Sequence, residues 1–256
     1  MKRLKLAQSM HLLFLVCLLF TAIISVFIVK SKTGTAIFVM SDKAYDNIYT
    51  TSQDYEYYSN YISLYQSIPR IRGLNDRYFE KKLNKSIYKL SSQNRKNIIS
   101  ISRLYNENLL KDKLPPIKFE YTEKFSVIPS IKPYYNIAFF KYKYSGGAHG
   151  ETSVNYLVIN TQINSVVKLQ DLFKSNINYL EILNKELSIQ LQLLQDKNEI
   201  PLYKNPNEIK ISAEQDFYID VHGNIVIVFN VYEIAPYAAG TIEVIIPSYN
   251  ISMYMK

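Results

Sequence analysis

The sequence predicts an α+β fold, a mainly antiparallel sheet with two amphipathic helices, preceded by one N-terminal transmembrane helix. Three observations predict it. Alternating apolar residues cluster within 119–169 and again within 217–246. Two apolar stripes at helical spacing lie within 75–96 and 180–194. An uncharged apolar run follows a basic N-terminus. Period-two runs read as half-buried strands and period-3.6 runs as helices, and strands grouped between separate helices read as α+β rather than alternating βαβ.

Residues 1–11 carry Lys2, Arg3 and Lys5 and no acid. Residues 12–29 are apolar and uncharged, close to the roughly 20 residues that cross the hydrocarbon core as a helix, and Lys30 and Lys32 close the run. The basic excess before it orients the N-terminus inward. Gly34-Thr35-Ala36 is a weak cleavage signal, so the run reads as an anchor or uncleaved signal. The expected organisation is a cytoplasmic tail at 1–11, an anchor at 12–29, a stalk at 30–54 and one α+β module at 55–256. The polar, aromatic stretch 33–60 also reads as the first edge strand of that module.

Residues 61–71 look extended, with Pro69 confining them to an edge because proline lacks the ladder N–H. Phe79, Leu83, Ile87 and Leu90 make a helical stripe, with Lys81, Lys82, Lys85 and Lys89 mostly on other faces, and 98–110 continue the helix to Pro115-Pro116. Phe119, Tyr121, Phe125 and Val127 alternate as a strand. Residues 134–144 are apolar on both faces and read as a central strand. Val154, Tyr156 and Val158 follow on another, residues 160–164 turn, and Val166, Val167 and Leu169 make a further strand. Leu180, Leu183, Leu187, Leu191 and Leu194 form the second stripe. Phe217, Ile219 and Val221, the turn His222-Gly223-Asn224 and residues 225–231 read as a hairpin, and 242–246 as the last strand before Pro247.

Composition narrows function. The only cysteine, Cys17, lies in the apolar run, so the remainder has no disulfide, cysteine metal site or cysteine nucleophile. Beyond the anchor, 27 basic residues face 22 acids, a net +5 spread along the chain rather than concentrated in one run. That distribution excludes nucleic acid as the expected partner and suits anionic envelope polymers or headgroups.

Glycine is scarce, seven in all, yet Gly146, Gly147 and Gly150 stand in Tyr144-Ser145-Gly146-Gly147-Ala148-His149-Gly150. Such clustering marks a loop needing positive φ or close approach. The second distinctive stretch is Tyr232-Glu233-Ile234-Ala235-Pro236-Tyr237-Ala238-Ala239-Gly240. The candidate ligand-binding or loop-shaping residues are Ser145, Gly146, Gly147, His149, Gly150, Tyr232, Glu233, Pro236, Tyr237 and Gly240, and the two loops are expected to pack together. His149 has the chemistry of a general base or ligand if His222, Glu151, Asp220 or Glu233 reaches it, but no ligand spacing such as H-E-x-x-H and no G-x-S-x-G elbow around Ser145 is present. No catalytic residue and no metal ligand is assigned.

With Ile68-Pro69-Arg70-Ile71-Arg72-Gly73-Leu74, Asn84 in the following helix, the 144–150 loop, Leu169-Gln170-Asp171-Leu172-Phe173, Phe217-Tyr218-Ile219 and the 232–240 loop in this order, residues 55–252 resemble the domain of unknown function shared by RsiV-type anti-sigma factors and PdaC-type peptidoglycan deacetylases. The resemblance implies an extracytoplasmic α+β domain of a Gram-positive-type envelope, a lysozyme receptor in the RsiV-like group and a domain preceding the catalytic one in the deacetylases. Residues 1–11 are short for a sigma-binding segment and no deacetylase domain follows Lys256, so the expectation rests on the outer module alone. That expectation is a single-pass cell-membrane protein that binds or senses something outside. Its partners are the bilayer through 12–29 and a cell-wall polymer or lysozyme-like protein, with no cofactor. The alternative is a small envelope hydrolase using His149 with Glu233 or Glu151.

Overall fold

The first described element is a hairpin, β1 (Val26–Ser31) and β2 (Gly34–Val39), which forms a two-stranded sheet of its own. The computed structural model describes residues 26–31, 34–39, 48–197 and 200–256. The expected tail 1–11 and residues 12–25 of the expected anchor lie outside the described residues, and residues 26–29 of that anchor open β1. Among the described residues no helix is long and apolar enough to cross a membrane.

Six strands form the main sheet in chain order: β3 (Tyr49–Tyr58), β4 (Ile62–Arg72), β5 (Phe119–Ile128), β6 (Tyr134–Tyr144), β7 (Glu151–Asn160) and β8 (Ser165–Val166). Every neighbouring pair is antiparallel except β4 and β5. A parallel pair needs a long crossover, and here it is α1 (Arg77–Lys111), a 35-residue helix. Its start is set by Asp76, whose Oδ1 accepts from the N–H groups of Tyr78 and Phe79 at 2.8 and 3.0 Å, satisfying two donors that a helix N-terminus leaves open. A second, three-stranded antiparallel sheet runs β11-β10-β9, with β9 (Phe217–Ile219), β10 (Ile225–Phe229) and β11 (Ile242–Ile246). The second long helix is α2 (Tyr179–Asp196), and α3 (Ser248–Ile251) follows β11.

Alternation along the strands sorts these elements into layers. Tyr135, Ile137 and Ile159 pack with Leu83 and Ile87 of α1 on one face of the main sheet. Ala138 and Val154 face Val228 of the small sheet on the other. The opposite face of the small sheet sends Ile225, Ile227, Phe229, Val244 and Ile246 against Leu183, Leu187 and Leu191 of α2. Those three leucines are fully buried, each contributing about 1.5–3 kcal/mol of transfer free energy.

Several expectations are corrected by tertiary context. β3 occupies the outer edge of the main sheet, as the edge-strand reading of 33–60 expects, and starts at Tyr49, inside the stretch alternatively assigned to a stalk. β4 is not an edge strand: it pairs β3 along its length and β5 along Ile62 to Gln66. Pro69 is accommodated because the β5 ladder has already ended. There Asn84 takes over, accepting from the Ile71 N–H and donating to the Ile71 carbonyl, both at 2.8 Å. Leu169 does not extend β8 but begins a 3-10 turn, Leu169–Leu172. The 160–164 turn has no glycine, and Asn164 takes the positive φ of 50° instead, a conformation asparagine tolerates better than most residues.

The stripe along α1 also differs from the apolar one expected. Leu90 is 57% exposed, and the buried face runs Glu80, Leu83, Ile87, Ser91, Arg95, Ile98, Ser102, Asn106. Among its polar members, Ser91 reaches a strand residue hidden in the alternation of β5, Glu123, which is 3% exposed. Glu123 accepts from Gln66 Nε2 at 2.6 Å, Ser91 Oγ at 2.8 Å and Tyr121 Oη at 3.2 Å. Arg95 donates to Gln66 Oε1 at 2.7 Å and lies 3.9 Å over the Tyr55 ring. Burying a carboxylate and a guanidinium is tolerable only when their polar atoms are partnered, and no buried side-chain polar atom among the described residues lacks a partner.

Candidate functional site

The two glycine-containing loops do pack together. The first joins β6 to β7 and the second joins β10 to β11, and the small sheet lies on the face of the main sheet that carries Val154. The joint is Asn230, at the end of β10. Its Oδ1 accepts from the Val154 N–H at 2.6 Å and its Nδ2 donates to the Val154 carbonyl at 3.0 Å.

The glycines have distinct reasons. Gly146 and Gly147 have φ of 100° and 101°, where an L side chain is strained. At Gly150 the reason is space, since an added Cβ would run into the Tyr142 ring. Tyr144 Oη donates to the Gly147 carbonyl at 3.1 Å and steadies the turn.

His149 stands at the seam. Its Nδ1 lies 2.9 Å from the Gly150 carbonyl. A carbonyl oxygen only accepts, so Nδ1 carries the proton. Nε2 is then the acceptor for Tyr232 Oη at 3.3 Å. The imidazole stacks on Tyr237 at 4.8 Å and 28°, and Tyr232 and Tyr237 lie 5.4 Å apart. Both His149 and Tyr232 are exposed, Tyr232 by 51%. Tyr232 has φ of 68°, an uncommon conformation for an aromatic residue that costs about 1–2 kcal/mol.

The carboxylates expected beside His149 are engaged elsewhere. Glu233 folds back on its own turn, accepting from the Asn230 N–H at 2.8 Å and from Gln215 Nε2 at 3.0 Å. Glu151 is exposed and pairs with Lys143 at 3.1 Å. Asp220 accepts from the N–H groups of His222 and Asn224 in the β9–β10 turn, at the other end of β10 from Asn230. The structure thus gives His149 a backbone carbonyl and a tyrosine hydroxyl in place of the expected acid. Pro236 accepts from the Ala239 N–H at 2.9 Å, and Gly240 leaves that 3-10 turn at φ 69°. Ile234 and Ala235 anchor the loop in the core against α2. Ser145 is exposed on the first loop. Among the described residues no three His, Asp or Glu side chains are grouped to hold a metal ion.

A second polar cluster escaped sequence reasoning. Tyr156 of β7 and Tyr218 of β9 stack at 5.0 Å and 21°, and both hydroxyls donate to Glu243 of β11, at 3.0 and 2.9 Å. Burial first, then Glu243, raises the pKa of both phenols. Their three residues come from three strands, so no local spacing could reveal them. Asn230 left one faint signal, an asparagine closing an apolar strand.

Comparison with known proteins divides the chain at the same seam. Residues 49–152, from β3 to the start of β7, match the family model "Deacetylase PdaC". Residues 170–249 match "Protein of unknown function (DUF3298)". Two solved structures share the fold. A DUF3298 family member from Bacteroides fragilis superposes with a TM-score of 0.62 at 18% identity, covering 82% of this chain and 93% of that one. A DUF3298 family protein from Pseudomonas aeruginosa gives 0.52 at 15% identity, covering 82% and 94%. No curated protein matches the chain. The chain carries the domain of unknown function shared with PdaC-type proteins.

Proposed function

We propose, starting from a chain that joins a PdaC-type segment to a DUF3298 segment, that this protein is a binding or sensing module of the cell envelope. In this reading residues 12–29 anchor it in the membrane with the module outside, and the paired loops are its contact surface. The observation supporting it is the stacked trio of exposed His149 and Tyr232 with half-buried Tyr237, held by a loop pair that is itself clamped by Asn230. Rigid aromatic side chains lose little entropy on binding and present an apolar face with a polar tip. Such a surface suits the C–H faces and hydroxyls of a wall glycan, and it also suits a protein that binds the same wall. The partnering of His149 by Gly150 and Tyr232 serves orientation, while Glu233 serves its own turn and Glu151 pairs with Lys143.

The test is retention of purified wall glycan and of lysozyme on the immobilised fragment 48–256. We expect one of the two to be retained, and His149→Ala with Tyr232→Ala to weaken retention about tenfold, the scale of a truncated aromatic hot spot. Retention of neither, or retention indifferent to the double variant, would remove the loops from the role. Protease treatment of intact cells tests the topology: a module spared until the cells are permeabilised would place it inside.

A further inference from the structure

The outward face of α1 is used by neither the loops nor the core. Eight of its cations are exposed, namely Arg77, Lys81, Lys82, Lys85, Lys89, Lys96, Arg103 and Lys111, against one exposed acid, Glu107. Within that set Lys82, Lys89, Lys96 and Arg103 recur every seventh residue. Seven residues are nearly two helical turns, so these side chains form one row about 30 Å long, and Lys85 stands beside it. None of these five is ion-paired among the described residues. To one side of the row, about a quarter turn or more round the helix, lie Leu90, Ile101 and Leu104, which are 57%, 46% and 59% exposed.

We infer that this face of α1 seats on the surface of an anionic lipid bilayer. The cation row supplies charge complementarity to anionic headgroups. The apolar flank decides between partners. Leucine and isoleucine side chains gain nothing against a hydrated phosphate polymer, but they gain burial at the boundary between headgroups and acyl chains. A second copy is opposed by the charge, because like rows would face each other. The proposal does not depend on the loop site, and it would leave that site free while the module lies against the membrane.

Sedimentation of the fragment 48–256 with vesicles tests it. Among the described residues all four buried clusters draw on residues from Ile48 onward, so the fragment carries these clusters whole. We expect binding to phosphatidylglycerol vesicles that fades with salt and is absent on phosphatidylcholine. Lys82→Glu, Lys89→Glu, Lys96→Glu and Arg103→Glu together should weaken it about 100-fold or more. Leu90→Ser, Ile101→Ser and Leu104→Ser together should weaken it about tenfold. All these positions are on the surface, and circular dichroism melts check that the variants stay folded. No binding to phosphatidylglycerol, or binding unchanged by charge reversal, overturns the proposal. Equal binding of a soluble teichoic-acid polymer that ignores the serine variants overturns it in favour of the polymer. The His149→Ala, Tyr232→Ala variant should bind vesicles normally, which separates failure here from failure of the loop site.

Discussion

Four asparagines carry the junctions of this fold. Asn84, Asn106, Asn136 and Asn230 each turn a side-chain amide toward the backbone of one distant residue and engage both its N–H and its carbonyl, at Ile71, Ile117, Ile219 and Val154. An amide has one donor group and one acceptor with the same separation as a strand residue, so it can end a ladder without leaving buried polar groups open. Aspartate cannot replace it, having no donor. Asn106 is fully buried and also donates to the Ser102 carbonyl. Asn106→Ala should therefore cost about 2–3 kcal/mol, read as a lower urea midpoint with an unchanged slope. An unaltered midpoint would mean that water replaces the amide there. Asn84 and Asn230 left only faint signals in the sequence and Asn106 and Asn136 none, because asparagine is common and a contact over many residues leaves no periodic trace. The glycines of 144–150 were legible as a demanding loop, but which needed positive φ and which needed space was not.

Helix α1 was legible in extent and illegible in character. Its N-cap, its stop before Pro115-Pro116 and its first apolar stripe are local signals. Its buried face, however, is half polar, because β5 turns Glu123 inward and Gln66, Ser91 and Arg95 complete a network around it. Reading Phe119, Tyr121, Phe125 and Val127 as the inward set passes over Glu123, which lies in phase with them, and includes Val127, which is 39% exposed. The network makes a sharp prediction. Glu123→Ala leaves one Gln66 N–H and the Ser91 hydroxyl without their acceptor and should cost about 2–4 kcal/mol, while Glu123→Gln, which keeps two acceptor contacts within reach, should cost less. Thermal unfolding of the two variants checks the order, and equal losses would show that the network is dispensable. Helix α2 held no such surprise, because its buried residues are all leucines, Leu183, Leu187 and Leu191.

At the scale of the whole molecule the seam between the two sheets is closed by phenols. Tyr156 and Tyr218 have raised pKa values through burial and then Glu243, and Tyr121 through burial and then Glu123. Above the ordinary value of 10.0 the unfolded chain releases these protons while the folded one retains them. Stability is then full below that pH and falls as pH rises through the folded values. Alkaline unfolding should begin above that point, and Tyr156→Phe with Tyr218→Phe should flatten the dependence. An identical pH slope in the variant would clear these tyrosines of the effect.

Taken by itself, the sequence determined the α+β class, the second helix, the hairpin of β9 and β10, the central place of β6 and the two unusual loops. Each of these rests on local periodicity or on residues with special backbone freedom. Only the tertiary structure decided that β4 is internal, that Glu123 is buried, that Asn230 locks the loops and that His149 meets Tyr232 and Tyr237 rather than an acid. Those facts depend on which strand lies beside which. A chain records the faces of its elements in its spacing, but it records their neighbours nowhere until packing brings them together.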